Sequence, residues 1–583
     1  MSSLSSMLPK TVGAKGSDVY STTGQPLVDL NVKCVRGADP VALKKDLEAV
    51  LAIGTPQSIE DAFVQAFLVR NVRGGKGERK IFEQLFEHLC EVQPQIAKAV
   101  LDLIPHYGCW DDFSRLLTSA VAPAFRRDVV ALYAKQLGDD ASSTDGMSLA
   151  AKWAPREDKN RRFAQDMAQV LFPHVKQYST QMRLYRQFVA DLNGRLKTVE
   201  TFMCAGRYDE IDPKTVPGRA GKIYSKAFLN LPSTYRSKKA DEDEDEDAVP
   251  AMYRHPEDKK RMDCRTKFQE HYAKAAKGEA KVHGADTLFP HEVVKKVAHS
   301  VVRGSWDAPT SALSEDEKNH LRGVWRGMVE KAKAGGGLRR SLFMIDRSGS
   351  MQSSNVGDTP FWVSTAIGLL GAEACAEEYK DMVLTFDSDP SIFRFRPGSD
   401  LFERVKTLEE SRVGQGTSTD FQKAMDLVLQ MLETKGCRPG DEPENLIVLT
   451  DMGWDQACSA NQQSLYTGNR YARAVKTAPW QTQITMIQNA FQALGERMWG
   501  PGQGFTAPRI VIWNLADTYS SDHHAAADTP GVAMLSGWSA TQFEILQKEG
   551  PRQMTPYEML RLELDDLKYQ RVRDRIRAVL ASL

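Results

Sequence analysis

The sequence lacks several features that would assign a protein to a specialised class. Its eight cysteines are spread over 583 residues, and no two have the CxxC spacing of a zinc site or the density of a disulfide framework. Such cysteines suit a reducing compartment. No run of 18 apolar residues occurs, so no membrane span is expected. The serine-rich N-terminus has no apolar core and does not match a secretory signal. These absences predict a cytoplasmic (intracellular) protein.

An excess of one charge and the common catalytic motifs are also missing. Lys and Arg total 76, and so do Asp and Glu, so only local patches can indicate a partner. The sequence has no G-x-S-x-G elbow, H-E-x-x-H helix, Walker loop or G-x-G-x-x-G turn. We therefore expect that the protein is not an enzyme.

Helical periodicity dominates the first half of the chain. Residues 1–38 are small and polar, which predicts a flexible tail. Over residues 39–333 apolar residues recur at helical spacing, as in ADPVALKKDLEAVLAI, and no alternating strand pattern occurs before residue 240. This predicts an all-helical, repeat-like array of the HEAT type with an acidic loop at 240–250. A glycine cluster at 334–337 predicts the domain boundary.

The pattern changes after that boundary. Helical stretches now alternate with short, continuously apolar runs at residues 341–346, 382–387, 445–450, 509–514 and 531–536. Strands of this kind have both faces buried, which is typical of a parallel sheet between helices. We therefore predict a doubly wound α/β domain over residues 338–583, with further helices at its C-terminus. The predicted fold class is α plus α/β.

Oxygen-bearing side chains follow two of the predicted strands. The strand in FMIDRSGSM ends at Asp346 and is followed by Ser348 and Ser350, and a later strand ends in front of Asp451. Between them, the stretch GQGTSTDFQKAM opens a helix and offers Thr417, Thr419 and Asp420. The carboxyl ends of parallel strands meet at one edge of a sheet, so these groups should converge there. Two carboxylates and three hydroxyls suit Mg²⁺, or another divalent cation such as Mn²⁺.

Two other roles for these residues stay open. Ser and Asp at strand-to-helix turns commonly cap helix N-termini. A strand-ending Asp beside Mg²⁺ would also fit a phosphohydrolase with an aspartyl nucleophile, although Ser348 stands where such sites usually have a second acid. The hydroxyl-rich set favours binding over hydrolysis, because an ion with few charged ligands stays electrophilic and would attract a carboxylate from a partner protein.

The order of these residues resembles the metal-ion-dependent adhesion site of the von Willebrand factor A domain. That family has D-x-S-x-S, then a Thr, then an Asp after the fourth strand. Here Asp346, Ser348, Ser350, Thr419 and Asp451 match the pattern, within residues 338–550. The resemblance implies an A-type fold and a divalent cation held by these five residues.

The two-part plan is also similar to that of the Ro autoantigen (TROVE) family. It looks closer still to a related family of uncharacterised intracellular proteins. The stretches that carry this second resemblance are RNVRGGKGER (70–79), IPHYGCWDDF (104–113), KWAPRE (152–157), LFPHE (288–292) and VLTDMGWDQA (448–457). Ro proteins form a helical-repeat ring that binds RNA ends and small structured RNAs, so the resemblance implies RNA as a partner.

Two basic stretches of the helical region are candidates for RNA contact. Residues 151–239 hold 18 Lys and Arg against 8 Asp and Glu, with aromatic residues between them, which suits phosphate contact and base stacking. A Gly-rich turn near residue 75 could hold a phosphate on its backbone N–H groups. The candidate residues are Arg70, Arg73, Lys76, Arg79, Arg161, Arg162, Arg183, Tyr185 and Arg186.

Both stretches also have a structural interpretation that stays open. The first could be a solvated helical face with core aromatics, and the second an exposed helix–helix turn. The preferred hypothesis is a Ro-like RNA-binding protein in which the helical domain binds RNA and the A domain binds a divalent metal. The alternative is a Mg²⁺-dependent protein-interaction scaffold that does not bind RNA.

Overall fold

The computed structural model describes residues 8–232, 253–301, 313–334, 338–357, 359–387, 389–411, 420–454, 483–547 and 553–582. The acidic run DEDEDED and Thr419 lie outside these residues. Within them, the chain forms a mostly helical N-terminal region followed by a six-stranded sheet with helices, which confirms the predicted fold class.

The helical region begins with a short antiparallel hairpin, β1 (Lys10–Val12) and β2 (Asp18–Tyr20). Its helices are α1 (Pro26–Lys33), α2 (Pro40–Leu51), α3 (Pro56–Arg70), α4 (Arg79–Val92), α5 (Pro94–Ala99), α6 (Ile104–Tyr107), α7 (Asp111–Leu116), α8 (Ala122–Ser142), α9 (Ala150–Trp153), α10 (Glu157–Leu171), α11 (Tyr178–Leu196), α12 (Val199–Cys204), α13 (Gly218–Phe228), α14 (Lys259–Lys277), α15 (Pro290–Val301) and α16 (Glu315–Ala334). Asp39 caps α2 by accepting from the N–H groups of Val41 and Ala42, with Pro40 in the first turn.

The α/β domain contains strands β3 (Ser341–Asp346), β4 (Met382–Phe386), β5 (Ile392–Arg394), β6 (Asn445–Thr450), β7 (Arg509–Asn514) and β8 (Val532–Ser536). Its helices are α17 (Gly349–Gln352), α18 (Thr359–Ala374), α19 (Leu401–Ser411), α20 (Phe421–Thr434), α21 (Gln483–Trp499), α22 (Phe543–Gln547), α23 (Pro556–Leu564) and α24 (Gln570–Leu580). The sheet order is β5-β4-β3-β6-β7-β8, and all neighbours are parallel except the pair β4–β5. The five predicted strands are thus present, and the short antiparallel edge strand β5 is an addition.

Helices cover both faces of this sheet. On one face α18 lies so close to β3 that a Cβ on Gly371 would be 2.1 Å from Cζ of Phe343, and one on Gly368 would be 2.2 Å from Cγ2 of Ile345. Side chains of a strand alternate between faces, so the neighbours of these two residues point the other way. There Phe386 of β4 packs edge-on against Phe421 of α20, with ring centroids 5.9 Å apart. The sheet is therefore doubly wound.

The structure differs from the expectation of a flexible tail over residues 1–38. From residue 8 on, the segment forms the hairpin and α1, and α1 buries five of its eight residues, including Leu27 and Leu30. Asn514, the last residue of β7, donates to the carbonyl of Val32 at 2.9 Å. The segment is short and locally polar. It is ordered because it packs against the sheet at the carboxyl ends of the strands, which are hundreds of residues away in sequence.

The C-terminal helices in turn pack on the helical region. Arg577 of α24 makes two hydrogen bonds to Glu60 of α3, at 2.7 and 2.9 Å, and Arg561 of α23 lies 2.7 Å from Asp61. The ring of Tyr569 stacks on that of Tyr107, with centroids 5.6 Å apart. The α/β domain thus receives a segment that was expected to be a flexible tail, and the helical region receives the C-terminal helices that the sequence assigned to the α/β domain. A boundary based on composition does not show where a segment packs.

Candidate metal centre at the strand ends

The first part of the candidate site is the turn after β3. Asp346 is fully buried, and both of its carboxylate oxygens accept hydrogen bonds: from the backbone N–H of Ser348 at 2.9 Å and from the hydroxyl of Thr450 at 3.2 Å. The hydroxyls of Ser348 and Ser350 lie 3.1 Å apart. Arg347, between Asp346 and Ser348, points the other way, where it pairs with Glu409 and lies over the ring of Phe361. The turn therefore holds its three oxygen-bearing side chains together.

The second part is the turn after β6. Asp451 is fully buried and one of its oxygens accepts from the N–H of Gly453 at 3.1 Å. Met452 has a φ of +73°, a left-handed conformation that is costly for a residue with a side chain. Two contacts hold it: its N–H donates to the hydroxyl of Thr450 at 3.2 Å, and its carbonyl lies 2.8 Å from Nε2 of His524. The backbone at Asp451 is therefore fixed by its surroundings.

His524 is a supporting residue that the sequence did not reveal. It lies in the loop after β7, where His523 and His524 are both 1% exposed. The ring of His524 stacks on that of Trp454 at 3.7 Å between centroids. Burial lowers the pKa of His524 to about 3, so the ring is neutral at physiological pH. The sequence offered no local signal, because the partners lie about 70 residues earlier in the chain.

Burial makes the two carboxylates electrostatically unfavourable without a cation. The pKa of Asp346 is raised, first by burial and then by the neighbouring Asp451 carboxylate, while hydrogen bonds from Ser348 and the charge of Lys15 oppose the shift. Burial likewise raises the pKa of Asp451, opposed by Lys15 and by the nearby Ser350 hydroxyl. Two acids taken out of water side by side favour either a bound proton or a bound cation.

The residues fit a hard divalent cation. One oxygen of Asp451, Oδ2, is buried and has no hydrogen-bond partner of good geometry among the described residues. Elsewhere in those residues no three His, Cys, Asp or Glu side chains gather as a metal-binding group, so a cation here would depend on two carboxylates and on hydroxyls. Asp346, Ser348, Ser350 and Asp451 are brought to one edge of the sheet, and Thr419 lies outside the described residues.

Lys15 is the second residue of this site that sequence analysis missed. Its Nζ donates to the hydroxyl of Ser350 at 3.2 Å and lies 5.2 Å from the ring centroid of Tyr519. Lys15 stands in the turn between β1 and β2, and 335 residues separate it from Ser350. The side chain belonged to a segment expected to be a loose tail, so no pattern in the sequence could place it here.

Three of the candidate RNA contacts are buried and serve the fold. Arg70 is 3% exposed, and its guanidinium donates to Asp112 at 2.8 and 3.2 Å. Lys76 is fully buried, and its Nζ donates to the carbonyl and side-chain oxygens of Asn31 and to Ser536. Tyr185 is 3% exposed, and its hydroxyl donates to the carbonyl of Pro155. Inside the folded protein these three side chains cannot reach RNA, so their assignment as RNA contacts is wrong.

The Gly-rich turn is not a free phosphate cradle either. The N–H groups of Arg73 and Gly74 donate to the side chain of Asn71, and those of Lys76, Gly77 and Glu78 donate to backbone carbonyls of residues 68–71. Arg79 is about one-third exposed and pairs with Asp111 and Asp112. Arg73 is exposed, but it donates to the carbonyl of His106. Five N–H groups of residues 73–78 and the side chains of Arg73 and Arg79 therefore already have partners within the protein.

The remaining basic candidates are exposed on two neighbouring helices. Helices α10 and α11 pack as an antiparallel pair, and Arg161, Arg162, Arg183 and Arg186 are all exposed on it. Arg186 pairs with Glu157 at the start of α10. Two aromatic side chains of the same stretch, Trp153 and Tyr178, are 36% and 45% exposed. We call this set of four arginines and two rings the basic face.

The fold and the site together define a class: a helical region joined to a doubly wound α/β domain with a carboxylate–hydroxyl cluster at its strand ends. Residues 340–575 match a family described as a domain of unknown function, DUF7788. Over 571 residues the chain is 24% identical to an uncharacterized protein, L728, of Acanthamoeba polyphaga mimivirus. The aligned region covers 94% of this chain and 85% of the mimivirus protein. The match spans both regions.

Among solved structures, the chain is similar to the crystal structure of the RO (RSR) protein of Deinococcus radiodurans. The sequence identity is 13%, the TM-score is 0.41, and the match covers 90% of this chain and 99% of that one. In the described part of the chain, no helix combines the length and apolar character needed to cross a bilayer.

Proposed function

We propose that this chain is a non-enzymatic binding protein whose α/β domain holds a divalent cation, Mg²⁺ or Mn²⁺, and captures a carboxylate of a protein partner there. The observation that carries the proposal is the convergence of Asp346, Ser348, Ser350 and Asp451 at the strand-end edge, with one buried Asp451 oxygen unpartnered. The similarity of this residue order to the adhesion site of A domains supports it.

The division of roles follows from charge. Asp346 and Asp451 would supply the two full negative charges, and Ser348, Ser350 and Thr419 neutral oxygens. When bound, the ion would supply Lewis acidity that attracts an external carboxylate. The chain's own contribution is to hold the oxygens in place: Thr450 and the N–H of Ser348 orient Asp346, while Gly453 orients Asp451. The two negative charges of these carboxylates would just balance the charge of the divalent cation.

Titration with Mg²⁺ or Mn²⁺ by calorimetry, with Mn²⁺ also followed by electron paramagnetic resonance, tests this function. Asp346→Asn should abolish saturable binding, and Ser350→Ala should weaken it at least tenfold. Ser353→Ala is the matched control, because Ser353 is exposed and its hydroxyl donates to the nearby carbonyl of Gly349. Absence of saturable binding by the wild-type protein, or equal affinity of the Ser350 and Ser353 variants, would overturn the proposal.

A second function, RNA binding, is favoured by the basic face. Arg161, Arg162 and Arg183 are exposed and form no ion pair within 4.0 Å among the described residues, so their charges are available for phosphate contact. Exposed Trp153 and Tyr178 offer rings for stacking with bases. We propose this surface, and not the Gly-rich turn, as the place where RNA would bind.

Binding of a labelled single-stranded RNA, measured over a range of salt concentrations, tests the second function. The double variant Arg162→Glu with Arg183→Glu should bind RNA more weakly than the wild type, whatever the RNA sequence. Loss of two phosphate contacts should reduce the salt slope by about 1.4. The double variant Lys274→Glu with Lys277→Glu makes the same charge change on exposed positions of α14 and should bind like the wild type. Equal loss in both double variants would indicate attraction to overall charge only.

A further inference from the structure

The turn between β1 and β2 is fastened beside the candidate metal centre. Within the turn, the N–H of Gly13 donates to the carbonyl of Ser17 at 2.8 Å, and that of Gly16 donates to Gly13 at 2.9 Å. From outside, the N–H of Ala14 donates to Oδ2 of Asp522 at 2.8 Å, and a Cβ on Gly13 would lie 2.7 Å from that same oxygen. The turn therefore fits against the loop after β7.

The flank of the hairpin is fixed to the same loop. Tyr20 and His523 exchange backbone hydrogen bonds, with the Tyr20 N–H donating at 2.8 Å and the His523 N–H donating at 3.2 Å. Both residues are buried, at 5% and 1% exposure. The hairpin thus has a defined position relative to the strand ends, and so does the side chain that projects from its turn.

That side chain is Lys15, and it is directed at the metal centre. A Cβ on Gly453, two residues after Asp451, would be 3.0 Å from Cε of Lys15 and 2.4 Å from the Tyr519 ring. Cε of Lys15 and the Tyr519 ring thus both pack against Gly453, and a side chain at this position would collide with them. Nζ of Lys15 bonds to Ser350, and its charge acts on both Asp346 and Asp451.

We propose that Lys15 is a tethered competitor of the divalent cation, an ammonium that occupies the rim of the site and must move aside when the cation binds. The inference rests on the cation-binding function proposed above. Its physical basis is that the Ser350 hydroxyl required by the ion is already bonded to Lys15 and Ser348. A positive charge beside that ligand also repels an incoming dication.

The competitor sets the affinity and the selectivity of the site. Because the ammonium already compensates part of the buried negative charge, a cation gains less by binding than the two carboxylates alone would provide. A divalent ion displaces Lys15 more readily than a monovalent one, since its attraction to both carboxylates is about twice as large at equal distance. The site should therefore respond to divalent cations and ignore Na⁺ and K⁺.

The test measures Mg²⁺ and Mn²⁺ affinity for Lys15→Met, which keeps the apolar stem against Tyr519 and removes the charge. We expect affinity at least tenfold higher than that of the wild type. Lys15→Arg should bind like the wild type or more weakly. Lys10→Met removes an equal charge from an exposed position of the same hairpin and should leave the affinity within twofold. Lys15→Gln is a second neutral variant in case Lys15→Met perturbs the hairpin.

The outcomes separate this inference from the function on which it rests. If neither the wild type nor Lys15→Met binds Mg²⁺ or Mn²⁺, the cation-binding function itself is refuted. If the wild type binds, is sensitive to Asp346→Asn, and has the same affinity as Lys15→Met or a higher one, only the role of Lys15 is refuted. If both neutral variants bind more tightly and Lys10→Met does not, the competition is established.

Discussion

Lys76 provides the sharpest test of whether the Gly-rich turn is structural. Its stem packs on Gly537, where an added Cβ would lie 3.5 Å from three of its carbons, and its Nζ lies 2.9 and 2.7 Å from the two oxygens of Asn31 and 2.5 Å from Ser536. Burial lowers the pKa of Lys76, opposed by Cys34, Glu563 and Glu78. The residue therefore joins α1, the turn after α3 and the end of β8.

The magnitude for Lys76→Ala follows from these contacts. The change removes three buried methylenes, which contribute about 2.4 kcal/mol at roughly 0.8 kcal/mol each. Each of the three hydrogen bonds adds about 0.5–1.5 kcal/mol net. Relief of the buried charge offsets part of this sum. Ser536 and Gln65 also donate hydrogen bonds to Asn31, so the Asn31 oxygens keep hydrogen-bond donors in the variant. We expect a loss of about 3–5 kcal/mol in the free energy of unfolding.

Guanidinium denaturation followed by tryptophan fluorescence measures this loss, with Lys80→Ala as the control. Lys80 is exposed four residues further on, and its truncation should change stability by no more than about 0.5 kcal/mol. Lys76→Met keeps the stem and should lie between the two. RNA affinity of the folded Lys76 variants should equal that of the wild type. If Lys76→Ala were as stable as Lys80→Ala and bound RNA more weakly, the structural assignment would be wrong.

Two further predictions concern packing and acid stability. Gly371→Ala places a Cβ 2.1 Å from the Phe343 ring and should destabilise by about 1–3 kcal/mol in thermal or chemical melts. A Cβ on Gly138 in α8 would meet no atom of another described segment within 4 Å. Gly138→Ala should therefore be neutral or stabilise by up to about 1 kcal/mol, and equal effects of the two variants would refute the close approach of α18 to β3. Burial lowers the pKa of His320 to about 3, so its contribution is present above an unfolded pKa of about 6.5 and is lost as the pH falls toward 3. Between pH 7.5 and 5 the wild type should lose about 2 kcal/mol more than His320→Gln, and parallel stability curves would contradict the burial of a neutral ring.

The strand-end residues could be predicted because their positions follow from local pattern. A run of buried residues such as 341–346 specifies a strand, and the residue after it must lie at the carboxyl edge, whatever the rest of the chain does. Asp346, Ser348, Ser350 and Asp451 therefore lie where the sequence predicts them. Their hydrogen bonds to backbone N–H groups are local as well, each spanning two residues.

What could not be predicted depends on contacts between distant parts of the chain. The stretch around Lys76 has the composition of an exposed basic turn, but Asn31 and Ser536 bury it from segments 45 and 460 residues away. Tyr185 was identified by its neighbouring arginines, although its ring is a core residue. Lys15 lies in a stretch too short and polar to predict any element. In each case the local pattern is the same for a buried and an exposed side chain.

The N-terminal segment, residues 8–38, connects these observations. It contacts the sheet at successive strand ends: Lys15 at the turns after β3 and β6, Val32 at the end of β7 through Asn514, and Asn31 at the end of β8 through Ser536. Ligands of doubly wound sheets bind at this edge. A partner carboxylate that reached the proposed metal centre would therefore approach beside this segment, and the residue that we propose to compete with the cation, Lys15, belongs to the same segment.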